Sequence, residues 1–188
     1  MRDFNQLDFY IQKNRIKLIE PYVPHNSYLL DIGCGCFPQN LINLENKFKG
    51  AIGIDKDIPA QSFSQKVGFQ KAYIETQLPF SDNQFDCLLM LAVLEHLNHP
   101  QAILQECYRI LKPGGRLIIT IPSNFSKPLL LGLAYLGLLS QEEIFDHKFY
   151  FSQKQMENML EKAHFKKVVS KAYNLFMNLL FVYEKGYS

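Results

Sequence analysis

Leu29-Leu30-Asp31-Ile32-Gly33-Cys34-Gly35-Cys36-Phe37-Pro38 decides how the rest of the chain is read. An apolar run ends in an acidic residue and passes straight into two glycines one residue apart. That is the pattern of a buried strand followed by a turn whose bare backbone a ligand can approach. A second apolar run, Ala51-Ile52-Gly53-Ile54, ends in Asp55. Its distance from the first turn, about twenty residues, suits a carboxylate that reaches a ribose bound over that turn. The two segments together point to a nucleoside cofactor on a doubly wound α/β sheet.

Working outward, strand and helix signals alternate. The opening helix is expected over 7–21, with Phe9, Ile11, Ile16 and Ile19 on one face and Pro21 and Pro24 ending it. Strands are expected over 28–32, 50–55, 70–75, 85–91 and 116–121, and helices over 39–47, 59–66 and 100–111. The unbroken apolar character of 85–91 is that of a strand covered on both faces. Pro113 stops the helix before it and Gly114-Gly115 turn the chain. A helix over 152–163, with Ser152 as its cap, precedes two β-like runs over 165–170 and 173–183. Those two leave no room for a helix between them and so predict an antiparallel hairpin at one edge. The fold class expected is α/β: a single doubly wound, Rossmann-like, mostly parallel seven-stranded sheet with an antiparallel edge hairpin and helices on both faces. One domain is expected over 1–188, with an N-terminal helix within 1–24 and a variable, lid-like insertion over 123–150.

Composition narrows the function classes. Hydrophobic content of 47% and charged content of 20% are those of an ordinary globular chain of 188 residues. The formal charge is +2 and Lys166-Lys167 is the longest basic run, so the ten tyrosines and fifteen phenylalanines read as core rather than as a nucleic-acid surface. Met1-Arg2-Asp3-Phe4-Asn5-Gln6 places charge where a signal peptide needs an apolar run. No stretch reaches the ~20 apolar residues of a membrane span. Four cysteines, two of them in the glycine turn, do not form a disulfide framework, and a cytoplasmic location is expected. Cys34 and Cys36 have no second ligand pair at metal spacing, so no metal is expected.

A dinucleotide fingerprint wants a third glycine where this chain has Pro38, and a Walker loop wants Gly-Lys-Ser/Thr, which is absent. Asp31, two residues before the first glycine, is placed to hold a cationic amino group, which NAD lacks and S-adenosylmethionine carries. From about Tyr28 to Lys185 the chain resembles the class I S-adenosylmethionine-dependent methyltransferases, above all the branch acting on small molecules and lipids. The resemblance is carried by Leu30-Asp31-Ile32-Gly33-Cys34-Gly35, Gly53-Ile54-Asp55, Leu78-Pro79-Phe80, Phe85-Asp86, Val93-Leu94-Glu95-His96-Leu97 and Arg109-Ile110-Leu111-Lys112-Pro113-Gly114-Gly115, in the family's order. It implies that Asp31 binds the amino group of S-adenosylmethionine and that Gly33, Cys34 and Gly35 let the backbone pass close to the methionine part. It also implies that Asp55 accepts hydrogen bonds from the ribose hydroxyls, Lys56 borders the adenosine and Leu91 lies by the methionine moiety. Many members carry an acid four residues before the leucine of Leu-Pro-Phe. This chain has Ile74 there, and Glu75 is the nearest acid for the adenine amino group.

Methyl transfer from a sulfonium needs alignment above all. A base is needed as well where the acceptor is a hydroxyl, an amine or a carbon acid. His96 is the first candidate, just past the fourth strand on the carboxyl edge where open α/β sheets bind ligands. His147, in Phe145-Asp146-His147-Lys148, is the second, and His99 reads as a surface turn residue. The stretch 128–139 is apolar nearly all round. It reads as core, as a roof over a hydrophobic acceptor or as a peripheral contact with a membrane surface. The expected function is in-line methyl transfer from S-adenosylmethionine to a small, lipophilic acceptor, with no nucleic-acid partner. Two rivals stay open: a cofactor-binding or interaction module of the same fold, and a nicotinamide-dependent oxidoreductase, which Pro38 and Asp31 oppose.

Overall fold

The sheet is built outward from its most apolar strands. β1 (Ser27–Ile32) and β4 (Phe85–Leu91) lie side by side in its middle, buried along nearly their whole length. Around them lie β2 (Phe48–Asp55), β3 (Val67–Lys71), β5 (Leu111–Pro122), β6 (Phe165–Tyr173) and β7 (Asn178–Lys185). The computed structural model describes residues 6–36, 39–58, 65–126 and 148–187, with 128, 132 and 135, and of 6–11 and 125 it describes the backbone alone. Among these residues the strand order is β3-β2-β1-β4-β5-β7-β6. The first five strands pair in parallel, and β7 runs antiparallel to both β5 and β6.

The two-residue strand period separates two cores. Leu30, Ile32, Leu88 and Met90 face helices α3 (Pro100–Ile110) and α4 (Gln153–Lys162), which contribute Ile103, Leu104, Cys107, Met156 and Leu160. Leu29, Cys87, Leu89 and Leu91 face α1 (Gln6–Ile19) and α2 (Gln39–Asn43), which contribute Ile16, Ile19 and Leu41. Pro100 opens α3, where its missing N–H costs nothing. Ser152 and Gln155 form a reciprocal capping box at the start of α4. The expected doubly wound sheet, covered on both faces and closed by an antiparallel hairpin, is the observed one.

Several expected boundaries move. The third strand lies at Val67–Lys71 rather than 70–75, because it pairs residue for residue with β2 and β2 ends at Asp55 opposite Lys71. The last strand starts at Asn178 rather than at 173. Asn174, Leu175 and Phe176 all have positive φ and make the hairpin turn, so Leu175 and Phe176 are exposed although their apolar character reads as strand. The helix expected over 39–47 ends at Asn43. β5 starts at Leu111 rather than 116, directly from the extended C-cap of α3, and takes Gly114-Gly115 into the strand. The helix expected over 59–66 lies outside the described residues except at 65 and 66. So do Phe37, Pro38, His147 and all of 128–139 but 128, 132 and 135, which are helical.

Candidate active site

The carboxyl edge of the sheet gathers the predicted residues around the turn after β1. Asp31 is fully buried on the α1–α2 side, opposite Gly53 of β2 and Leu89 of β4. Its Oδ2 accepts a hydrogen bond of 3.2 Å from Asn40 Nδ2, and Asn40 Oδ1 accepts one of 3.3 Å from Gln12 Nε2. Its Oδ1 is buried with no partner among the described residues. Burial, helped by the negative Asp55, pushes the Asp31 carboxyl up to about 7, against the Asn40 hydrogen bond.

The turn itself is laced to β2. Gly33 N and Cys34 N both donate to Ile54 O, at 2.8 and 3.1 Å. Gly33 and Gly35 have φ of 73° and 72°, a region L side chains enter at a cost. The two glycines differ in what surrounds them. A Cβ on Gly33 would run into the Val93 side chain, whereas one on Gly35 would meet no atom of the described residues within 4 Å. Cys34 is buried, with its sulfur where a Cβ on Gly53 would go.

Asp55 closes the other side of the turn. Its Oδ2 accepts from Gly35 N and its Oδ1 from Asp57 N, each at 3.0 Å. The carboxylate is therefore oriented by two backbone amides and keeps lone pairs for a further donor. Lys56 is exposed beside it, and Leu91 is buried at the end of β4 opposite Thr120. Ile74 packs against the core while Glu75 is exposed, both in the chain beyond the end of β3, so strand alternation does not govern them. His96 is half-buried in the 3-10 turn Leu94–His96. Ala92, where β4 passes into that turn, has φ of 60°, a strained conformation for alanine.

Two polar residues that sequence reasoning passed over belong to this edge. Asn40 orients Asp31 from α2. Glu95 is buried, and both of its carboxyl oxygens lack a hydrogen-bond partner among the described residues. The signal for Glu95 is an acid between Leu94 and Leu97 immediately beyond an apolar strand. Arg109, in the last turn of α3, and Lys112, at the start of β5, are struts. Arg109 donates to Leu78 O, Phe80 O, Asp82 and Glu106. Lys112 and Tyr28 N meet on Asp86 at 2.7 Å each.

Comparison with known proteins bears on the chemistry. Residues 30–119 match a sequence family described as a methyltransferase domain. An uncharacterized protein of Methanocaldococcus jannaschii is 28% identical over 165 residues, covering 84% of this chain and 73% of that protein. The ubiquinone/menaquinone biosynthesis C-methyltransferase UbiE of Pseudomonas paraeruginosa is 40% identical over 86 residues, which is 45% of this chain and 32% of UbiE. The match thus spans about a third of that enzyme's length. Among solved structures, a chain from the Haloferax volcanii complex of the Trm112 methyltransferase activator with a methyltransferase superposes with a TM-score of 0.72 at 16% identity. It covers 99% of this chain and 100% of that one, and the likeness is one of fold.

Proposed function

We propose that this chain, which belongs to the class I S-adenosylmethionine-dependent methyltransferases, transfers a methyl group to a small, lipophilic acceptor. Its cofactor, S-adenosylmethionine, supplies when bound an electrophilic methyl carbon on a sulfonium. The observation that carries the reading is Asp31 Oδ1, buried without a partner among the described residues, beside a glycine turn in which a Cβ on Gly35 would meet none of their atoms. A buried carboxylate oxygen with nothing to accept is costly, and a ligand ammonium offsets that cost. Asp55, held by Gly35 N and Asp57 N, offers its remaining lone pairs to ribose hydroxyls. Lys56, Glu75, Cys34 and Leu91 are assigned to the same cofactor site.

The protein's own work is to align the partners and exclude water. We assign residues 123–150 to a lid over the carboxyl edge, with the apolar 128–139 as the part that meets the acceptor. The partial similarity to UbiE, whose name specifies carbon methylation in quinone biosynthesis, favours an acceptor with an apolar body. His96 is the base nominated by sequence, and His147 lies within the assigned lid. A peripheral membrane contact through 128–139 is the second use of that segment. No helix among the described residues is long and apolar enough to cross a membrane.

Titration calorimetry with S-adenosylmethionine, S-adenosylhomocysteine and NAD tests the cofactor assignment. The two sulfur compounds are expected to bind and NAD is not. Binding of NAD alone overturns the reading, and binding of none favours the interaction module. Deleting 128–139 should abolish turnover of lipid-like acceptors, followed as S-adenosylhomocysteine release, while cofactor affinity survives. Equal loss of both marks the segment as plain core.

A further inference from the structure

Buried polar atoms without partners are few in folded proteins, and each calls for a reason. Among the described residues they gather at one place. Arg15, Asp31, Glu95 and Thr120 carry them at the carboxyl edge on the α1 side, and only Ser27 and Tyr183 carry them elsewhere. Asp31 and Thr120 lie opposite Leu89 and Leu91 on the two strands that flank β4, and β4 runs on through Ala92 to Glu95. Asp31 is accounted for by the cofactor. Glu95 is not.

The position of Glu95 is fixed by its backbone. Its carbonyl accepts from Lys148 N at 2.9 Å and Phe149 N at 3.2 Å, where the chain returns from the 123–150 insertion. Leu94 and Leu97 are buried on either side. Three elements face the carboxyl: Arg15 of α1, Tyr150 of the returning chain and Tyr173 at the end of β6. Burial pushes the Glu95 carboxyl up to about 7, opposed first by its own backbone N–H and then by the Arg15 cation, and burial also raises both phenols. Glu95 is 1% exposed, yet no ion pair joins it to Arg15, whose guanidinium bonds Tyr173 instead and leaves its Nε unpartnered. A carboxyl kept in a core for structure is paired and hydrogen-bonded. One kept there unpaired, just beyond the strand that lies between Asp31 and Thr120, has the character of a functional group held at the expense of stability.

We propose that Glu95 is the acceptor-binding carboxyl, which takes a hydrogen bond from the O–H or N–H of the atom to be methylated and receives that proton. This rests on the methyltransferase reading. The acceptor atom forms its bond to the methyl carbon as the carbon–sulfur bond breaks, and the electron pair of that bond stays on sulfur. The acceptor proton passes to Glu95 and then to water. The role that sequence gives to His96 thus moves to its neighbour, and the acceptor class becomes an apolar body bearing an ionisable hydroxyl or amine.

The test uses the full chain saturated with S-adenosylhomocysteine, as wild type and Glu95→Gln, with p-cresol and toluene as probes in NMR titrations. Calorimetry should show S-adenosylhomocysteine bound equally by both proteins. p-Cresol should bind wild type about tenfold more tightly than the variant, the loss of one hydrogen bond to a charged group. Toluene should bind both alike. In wild type the p-cresol affinity should rise across neutral pH while that of toluene stays flat. The thermal midpoint of the variant at about pH 8 should equal or exceed that of wild type, because no charge is then buried. Equal p-cresol binding by both proteins, or none by wild type, overturns the inference alone. So does a variant that unfolds or melts several degrees lower, since the carboxyl then holds the structure together. Wild type that binds no S-adenosylhomocysteine overturns the cofactor reading and this inference with it.

Discussion

Gly33 and Gly35 share a backbone conformation and differ in surroundings, so the same substitution should fail in two ways. Alanine at 33 meets Val93 as well as the left-handed backbone. The strain is worth about 1–2 kcal/mol and the overlap about 1–3 kcal/mol. Urea denaturation should show Gly33→Ala destabilised by the sum, and Gly33→Ala/Val93→Ala recovering the overlap part alone, a departure from additivity between touching residues. Alanine at 35 suffers the strain only, but its methyl enters the space assigned to the ligand. Gly35→Ala should therefore keep most of its stability and lose cofactor affinity in calorimetry, and an unchanged affinity would move the ligand away from this turn. Asp55→Ala should weaken cofactor binding by about 1.5–3 kcal/mol, the scale of hydrogen bonds to a charged group. An unchanged affinity there would place the ribose elsewhere.

At the scale of elements, α3 does more than cover the sheet. Glu106 accepts from Leu78 N and Arg109 donates to the carbonyls of Leu78 and Phe80, so one helix turn fixes the Leu78-Pro79-Phe80 loop. Arg109→Ala leaves two carbonyls and two carboxylates short of a partner. It should cost about 1–3 kcal/mol in denaturant unfolding, with faster amide exchange concentrated at 78–84. Uniform exchange along the chain would mean that the strut is dispensable. These contacts explain why the elements were more legible than their ends. The helical spacing of Ile103, Leu104, Cys107 and Ile110 and the apolar run of β4 are properties of the sequence itself. The end of β3 depends on where β2 stops, and the turn at 174–177 depends on backbone conformations that Leu175 and Phe176 do not advertise. Arg109 reads as a helix-end charge because only Glu106 is a local partner, while Leu78, Phe80 and Asp82, which make it a strut, lie about thirty residues away.

For the whole molecule, the legible part of the site is the part that local sequence writes: the strand, glycine turn and second-strand acid. What sequence does not show is which polar atoms the fold strands without partners, since that depends on α1 and the sheet meeting. Asp31 and Glu95 are two such groups, and they set the pH dependence of stability. Burial pushes each carboxyl up to about 7 in the folded protein, well above the usual carboxylate range. Between about pH 4 and pH 7 the folded state therefore holds protons that the unfolded chain has released. Stability must then fall as pH rises through this window and level off above it. Asp86, Glu106 and Glu157 act in the opposite sense. Partial burial opposes ionisation of Asp86, but its bonds from Lys112 and Tyr28 hold that carboxyl below its ordinary value, and Arg109 does the same for Glu106. Glu157 is held down by Ser170, Gln153 and Lys167. Their contribution is lost as pH falls through the acid range, so the stability maximum of the free protein should lie on the acid side of neutrality, near about pH 5. Urea midpoints measured from about pH 4 to pH 8 should decline toward the alkaline end in wild type. In Asp31→Asn/Glu95→Gln the decline should vanish while the acid limb stays. A wild-type curve that rises to a maximum above neutrality would mean that both carboxylates find partners in solution, and the account of the carboxyl edge as a site built from unpaired acids would fail with it.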